Sequence, residues 1–213
     1  MVTFLVAAAI NDAIVLRPIV LFNGRDTSEW IHRGGSKPCE WRVDNGELVV
    51  TPGKADIMTK REFSDYTLHL EFKLPVMLQA TSQGRANSGV YNLGRYEMQI
   101  LDSWNNPTYA FGGCGAIYGE KEPDKFALQP PGTWNRYDIE FTAPRFDSSG
   151  KQISKPKISA WQNGIQIHKE YEIQASATAA GIEGSPKPTG PILLQNHGAE
   201  VRFRNIWIIP RSQ

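Results

Sequence analysis

NSGVYNLGRYEMQILDS, residues 87–103, alternates polar and apolar side chains in two short runs that meet at Leu93-Gly94. Glycine accepts the positive φ of a tight hairpin turn without steric cost, so this stretch predicts two antiparallel strands, over residues 88–92 and 95–101. Alternation puts Arg95, Glu97 and Gln99 on one face of the second strand, and Tyr96, Met98 and Ile100 on the other. The apolar face is fitted for a core. The polar face is either a solvated surface with an Arg95 to Glu97 ion pair or one wall of a site for a polyhydroxylated ligand. Asp102 and Ser103 end the strand, and Trp104-Asn105-Asn106-Pro107 opens a long loop. An acid, an amide and an indole gathered there suit a sugar, whose hydroxyls seek acceptors and whose C–H faces lie on aromatic rings.

The same alternation recurs along the chain. WRVDNGELVVTP (residues 41–52) reads as strand, Asn-Gly turn, strand. YTLHLEFKL (66–74) turns Leu68, Leu70, Phe72 and Leu74 inward and Thr67, His69, Glu71 and Lys73 outward. His69 beside Glu71 invites a metal or acid/base role, but an outward histidine on a half-buried strand more often meets only solvent and one carboxylate. Residues 136–142 alternate again, 157–162 and 165–169 flank Asn163-Gly164, and the last strands fall at 192–195 and 201–208. In the last of these Val201 and Phe203 are core-like, with Arg202 and Arg204 opposite. Residues 76–85, 105–132 and 176–188 read as loops, and long loops in a compact domain are usually functional or disordered. Nine or ten strands without a long helical period give an all-β, antiparallel two-sheet sandwich.

Composition fits that fold. The chain has 213 residues, enough for one sizeable core, and is rich in glycine (19) and proline (14). Its net charge of +1 gives no electrostatic case for nucleic acid or an anionic membrane. Cys39 and Cys114 can pair or stay free. FLVAAAI (residues 4–10) is too short to span a bilayer, and no Lys or Arg precedes it, so residues 1–17 read as an N-terminal segment, either a degenerate export signal or an extra strand. Residues 18–213 read as one domain.

Four motifs stand in register: the hairpin at 87–103, GCGAIYG (113–119), PPGTWNRYDIEF (130–141) and GPILLQNHGAEVRFRNIWIIP (190–210). With an opening LFNGRDTSEW (21–30), they resemble the 3-keto-disaccharide hydrolase family in order and spacing. The resemblance implies a concanavalin A-like jelly roll, a periplasmic or extracellular location, and cleavage of 3-keto-glycosides. In that chemistry the ketone at C3 acidifies the C2 hydrogen, the aglycone leaves from C1 by elimination, and water adds to the product. Such a site needs a base at C2, donors around the O3 enolate, and a proton source at the glycosidic oxygen.

Set against that need, the catalytic candidates are His197, Glu97 and Asp102. An imidazole suits neutral pH without retuning, whereas Arg95 beside Glu97 would lower the carboxyl pKa, which favours His197 as the base and Glu97 as hydroxyl ligand or proton relay. Arg95 and Arg202 are the expected enolate donors, and Asn87, Tyr91, Gln99, Tyr118 and Gln195 the expected substrate ligands. Two departures from the family pattern fall near the site: Gln195-Asn196-His197-Gly198 in place of Gln-Asp-His-Gly, and Lys125-Phe126-Ala127-Leu128-Gln129 before the PPG motif. No cofactor is expected. A divalent cation is possible but unassigned, since no zinc or calcium spacing is present. The expected partner is an oligosaccharide or glycoside, with no nucleic acid and no membrane insertion. Two rival readings stay open, a non-catalytic carbohydrate-binding module and a conventional glucanase-like hydrolase. The second needs paired carboxylates, and the row Glu97, Gln99, Leu101 supplies one.

Overall fold

Three tight turns frame the structure, a computed structural model that describes residues 17–35 and 37–211. Asn45-Gly46, Leu93-Gly94 and Asn163-Gly164 all have positive φ at both positions, the backbone that lets a two-residue loop follow the twist of its strands. The segment at residues 4–10 lies outside the described residues.

The strands are β1 (Ile19–Phe22), β2 (Trp30–His32), β3 (Arg42–Asp44), β4 (Glu47–Val49), β5 (Ile57–Thr59), β6 (Tyr66–Lys73), β7 (Asn87–Asn92), β8 (Tyr96–Leu101), β9 (Trp134–Thr142), β10 (Arg145–Phe146), β11 (Gln152–Ser154), β12 (Lys157–Gln162), β13 (Ile165–Glu172), β14 (Leu193–Leu194) and β15 (Arg202–Pro210). Among the described residues the helical elements are two 3-10 turns, Ser82–Gly84 and Ala110–Gly112. The sandwich expected from periodicity is present, with short strands such as β2 and β5 added to it.

Among the described residues every strand pairing is antiparallel. One sheet runs β13-β12-β9-β6-β15-β4-β3 with β1 on β15; the other runs β2-β5-β14-β7-β8; β10 and β11 form a separate ribbon. Leu68, Leu70 and Phe72 of β6, Tyr137, Ile139 and Phe141 of β9, and Phe203 of β15 meet Val90, Met98 and Ile100 of the smaller sheet in one buried cluster. Each large apolar side chain buried there contributes about 1.5–3 kcal/mol. Cys39 and Cys114 are both free.

The strand β8 ends its sheet, yet its outer edge is covered. Gly115 N–H donates to Gln99 O (2.9 Å), Gln99 N–H to Ala116 O (2.9 Å) and Tyr118 N–H to Glu97 O (3.1 Å). The following loop therefore lies along β8 like a further strand and brings Tyr118 to the sheet face.

Candidate functional site

The hairpin β7–β8 sets the site. Tyr91 stands directly across from Glu97, and Gly89 from Gln99. With Asn87 and Arg95, these residues occupy the face turned away from the core cluster. That face is buried along the whole of β7 and β8, not solvated. The cause is a second loop laid over it. Thr178 Oγ1 accepts the Glu97 N–H and donates to Arg95 O, both at 2.9 Å, and Tyr91 donates its hydroxyl to Ala179 O at 3.2 Å.

Between this loop and the sheet lies a cavity of about 190 Å³, lined by Asn87, Glu97, Gln99, Tyr118, Ala179, Ala180, Gln195 and His197. Six of the ten residues singled out from sequence thus line one cavity, and a seventh, Tyr91, hydrogen-bonds Gln195 Nε2 at 3.0 Å behind it. His197 is exposed at the rim, on a turn fixed from several sides. Asn196 donates Nδ2 to Thr51 O (2.7 Å) and Lys54 O (2.8 Å), its Oδ1 accepts Gly198 N–H (3.0 Å), and its own N–H goes to Asp56 Oδ1 (2.9 Å). The residue that departs from the family pattern therefore faces the 51–54 loop, where an amide supplies two donors that a carboxylate lacks.

Glu97 is 3% exposed. Burial pushes its carboxyl up to about 8, with the Asp56 charge adding to the rise and a hydrogen bond with Tyr91 opposing it. This reverses the expectation that Arg95 would lower it. Arg95 turns instead to three carbonyls, donating to Gly184 (2.8 Å), Glu183 (3.1 Å) and Ser185 (2.9 Å), and so pins the covering loop.

Two further expectations are corrected in the same way. Asp102 is fully buried outside the cavity, paired with Arg85 at 2.7 Å, and it accepts Trp104 N–H. Removing one partner of such a buried pair costs about 3–5 kcal/mol, so Asp102 is an anchor of the strand end, not an acid/base group of the cavity. Arg202 lies on the larger sheet, bonded to Asp44 (3.0 Å) and Glu47 (2.7 Å), where it cannot serve as an enolate donor. His69, also on the larger sheet, has firmer partners than solvent: Asp138 at 2.6 Å and the Trp207 ring at 4.8 Å.

Some residues of the site carry no mark in the sequence. Asp56 joins the His197 turn to Arg33 (3.1 Å), whose other nitrogen donates to Gly181 O (3.0 Å) on the covering loop. Gln83 gathers Asn87 and Gln99 through its side-chain oxygen. Neither stands in a motif. Gly89 does carry a signal, because glycine inside a strand often marks a close approach. Among the described residues no three His, Cys, Asp or Glu side chains gather as a metal-ligand set, and no helix is long and apolar enough to cross a membrane.

The chain is a two-sheet jelly roll with a partly open cavity, lined mostly by polar side chains, on its smaller sheet. The chain belongs to the family described as 3-keto-alpha-glucoside-1,2-lyase-like domain, which it matches over residues 17–209. It is similar to a solved candidate glycosyl hydrolase from Parabacteroides distasonis, with 39% identity, a TM-score of 0.84, and coverage of 91% of this chain and 84% of that one. A second candidate glycosyl hydrolase from the same organism shares the fold at 21% identity and a TM-score of 0.69, covering 92% of this chain and 94% of the other. A third does so at 24% and 0.62, covering 92% of this chain and all of that one. No curated protein matches the chain.

Proposed function

We propose that this protein cleaves 3-keto-glycosides, with His197 removing the C2 proton and Glu97 protonating the departing glycosidic oxygen. The observation that carries the reading is the convergence of these two groups on one small cavity. A carboxyl held at about 8 is largely protonated at neutral pH, which makes Glu97 a donor where an ordinary glutamate would be a carboxylate. When the C2–H bond breaks, its electron pair forms the enolate; the enolate then collapses to a C1=C2 double bond as the C1–O bond leaves and takes the Glu97 proton. Water next adds across the double bond. The hydroxyl goes to C1 while Glu97 recovers a proton from the water, and His197 returns its proton to C2. The cavity lining offers one carboxyl group, so the paired carboxylates of a conventional glycosidase are not both available there.

The test compares wild type with His197→Ala on a 3-keto-disaccharide and on its unoxidised parent. Free reducing sugar and deuterium uptake at C2 in heavy water are followed. Cleavage of the keto sugar alone, with C2 exchange that the variant loses, is the expected result. Binding of both sugars without cleavage points to a binding module, and cleavage of the parent without exchange points to a conventional hydrolase.

A further inference from the structure

The hydrogen bonds around the cavity leave one role open, the donor that meets negative charge on O3, a role that rests on the keto-glycoside reading. The arginines near the site are engaged elsewhere: Arg95 on loop carbonyls, Arg33 on Asp56 and Gly181 O. The amides are engaged too. Gln99 Nε2 donates to Gln83 Oε1 (3.1 Å) and Gly112 O (3.4 Å), and Asn87 Nδ2 to Gln83 O (3.0 Å) and Oε1 (3.3 Å). Gln195 keeps one N–H after bonding Tyr91.

Tyr118 lines the cavity, and its hydroxyl is hydrogen-bonded to that of Tyr109. Two hydroxyls that share one hydrogen bond use one proton and leave the other free. The pair is fixed in place: the rings meet edge to face with centroids 6.0 Å apart, and the Tyr109 ring lies so close over Gly112 that a Cβ there would stand 2.3 Å from Cε2. Gly112 is itself held by Gln83 and Gln99, through its carbonyl. We infer that Tyr109 and Tyr118 form a phenol relay, in which Tyr109 donates to Tyr118 and Tyr118 donates to the substrate's C3 carbonyl oxygen as it becomes an enolate.

A phenol is a stronger acid than an amide, so its hydrogen bond gains more as the acceptor takes on charge. A second phenol behind it polarises the first. No proton changes hands: Tyr118 keeps its own while the C2–H electron pair passes into C2=C3 and charge builds on O3, then drains as the leaving group departs. Tyr118 is the catalytic residue and Tyr109 a positioning residue.

The experiment measures C2 deuterium exchange and cleavage of a 3-keto-disaccharide by wild type, Tyr118→Phe, Tyr109→Phe and the double variant, with sugar binding and thermal unfolding alongside. Loss of one oxyanion donor lowers rate by about 10²–10³-fold, so Tyr118→Phe should lose exchange on that scale while binding holds. Tyr109→Phe should lose less, and the double variant should be no worse than Tyr118→Phe, because Tyr109 acts only through Tyr118. Unchanged exchange in Tyr118→Phe, or losses that add in the double variant, overturns the relay alone. If Tyr118→Phe does not fold, wild-type exchange in Tyr109→Phe, whose ring is half exposed, is the overturning result. A wild type that leaves C2 unexchanged overturns the keto-glycoside reading and the relay with it.

Discussion

Gly89 lies directly under the carboxyl group of Glu97: a Cβ on Gly89 would stand 2.2 Å from Oε1 and 2.9 Å from the carboxyl carbon. Tyr91 stands across from Glu97 on the neighbouring strand and hydrogen-bonds it, so the carboxyl has close neighbours both beneath and beside it. Gly89→Ala should keep the fold at a cost of about 1–3 kcal/mol, the usual range for overpacking, while activity falls more than tenfold. Thermal unfolding and turnover on a keto sugar check this. Full activity in a stably folded Gly89→Ala would show that the Glu97 position is not needed.

The raised pKa of Glu97 makes a prediction of sign. Activity that depends on its proton should decline as pH rises through about 8. Stability should follow the same direction, because the folded state binds the proton more tightly than the unfolded chain. The contribution is fully present below the ordinary glutamate value near 4.5 and is lost between there and about 8. Urea unfolding of wild type and Glu97→Gln from pH 5 to 9 isolates it, since all other groups are shared. A constant difference between the two across that range would contradict the burial argument.

Asp56 adds to the rise at Glu97 and also receives the Asn196 N–H. Asp56→Asn keeps an acceptor for that N–H and removes the charge. The high-pH limb of the rate profile should therefore move to lower pH, with the turn of His197 left in place. Loss of rate with an unmoved limb would assign Asp56 a purely structural part.

Asn196→Asp restores the residue common in the family pattern, and here it should destabilise. It replaces two donors with a carboxylate facing Thr51 O and Lys54 O, at a cost of about 1–3 kcal/mol. Thermal unfolding of Asn196→Asp against wild type checks this, and equal unfolding temperatures would contradict the assignment of Nδ2 to those two carbonyls.

Much of this frame is legible in residue order alone. The hairpin turns at Asn45-Gly46, Leu93-Gly94 and Asn163-Gly164 follow from local backbone chemistry, and alternation in β6, β8 and β9 assigns each side chain to its face. Glu97, Gln99 and Asn87 come together because they share one hairpin face, and that is a local fact. The fates of Arg95, Asp102 and Arg202 are not local. Arg95 is held by carbonyls some ninety residues later, and Arg202 by Asp44 and Glu47 from the far end of the chain. A long cationic side chain takes whichever acceptors the tertiary fold brings near, and spacing carries no trace of them. The pKa of Glu97 is hidden from residue order for the same reason, because its burial comes from residues 178–182 of a loop without periodicity.

The loop that brings Tyr118 to the cavity also occupies the amides and carbonyls along the outer edge of β8. An unpaired strand edge invites a second copy of the chain to add itself, so this segment guards against aggregation as well as shaping the site. Shortening it to enlarge the cavity would uncover a sticky edge. Changes to what the cavity accepts are better placed on the opposite wall, at the side chains of Ala179 and Ala180, because they leave the contacts of Thr178 with the backbone of β8 in place.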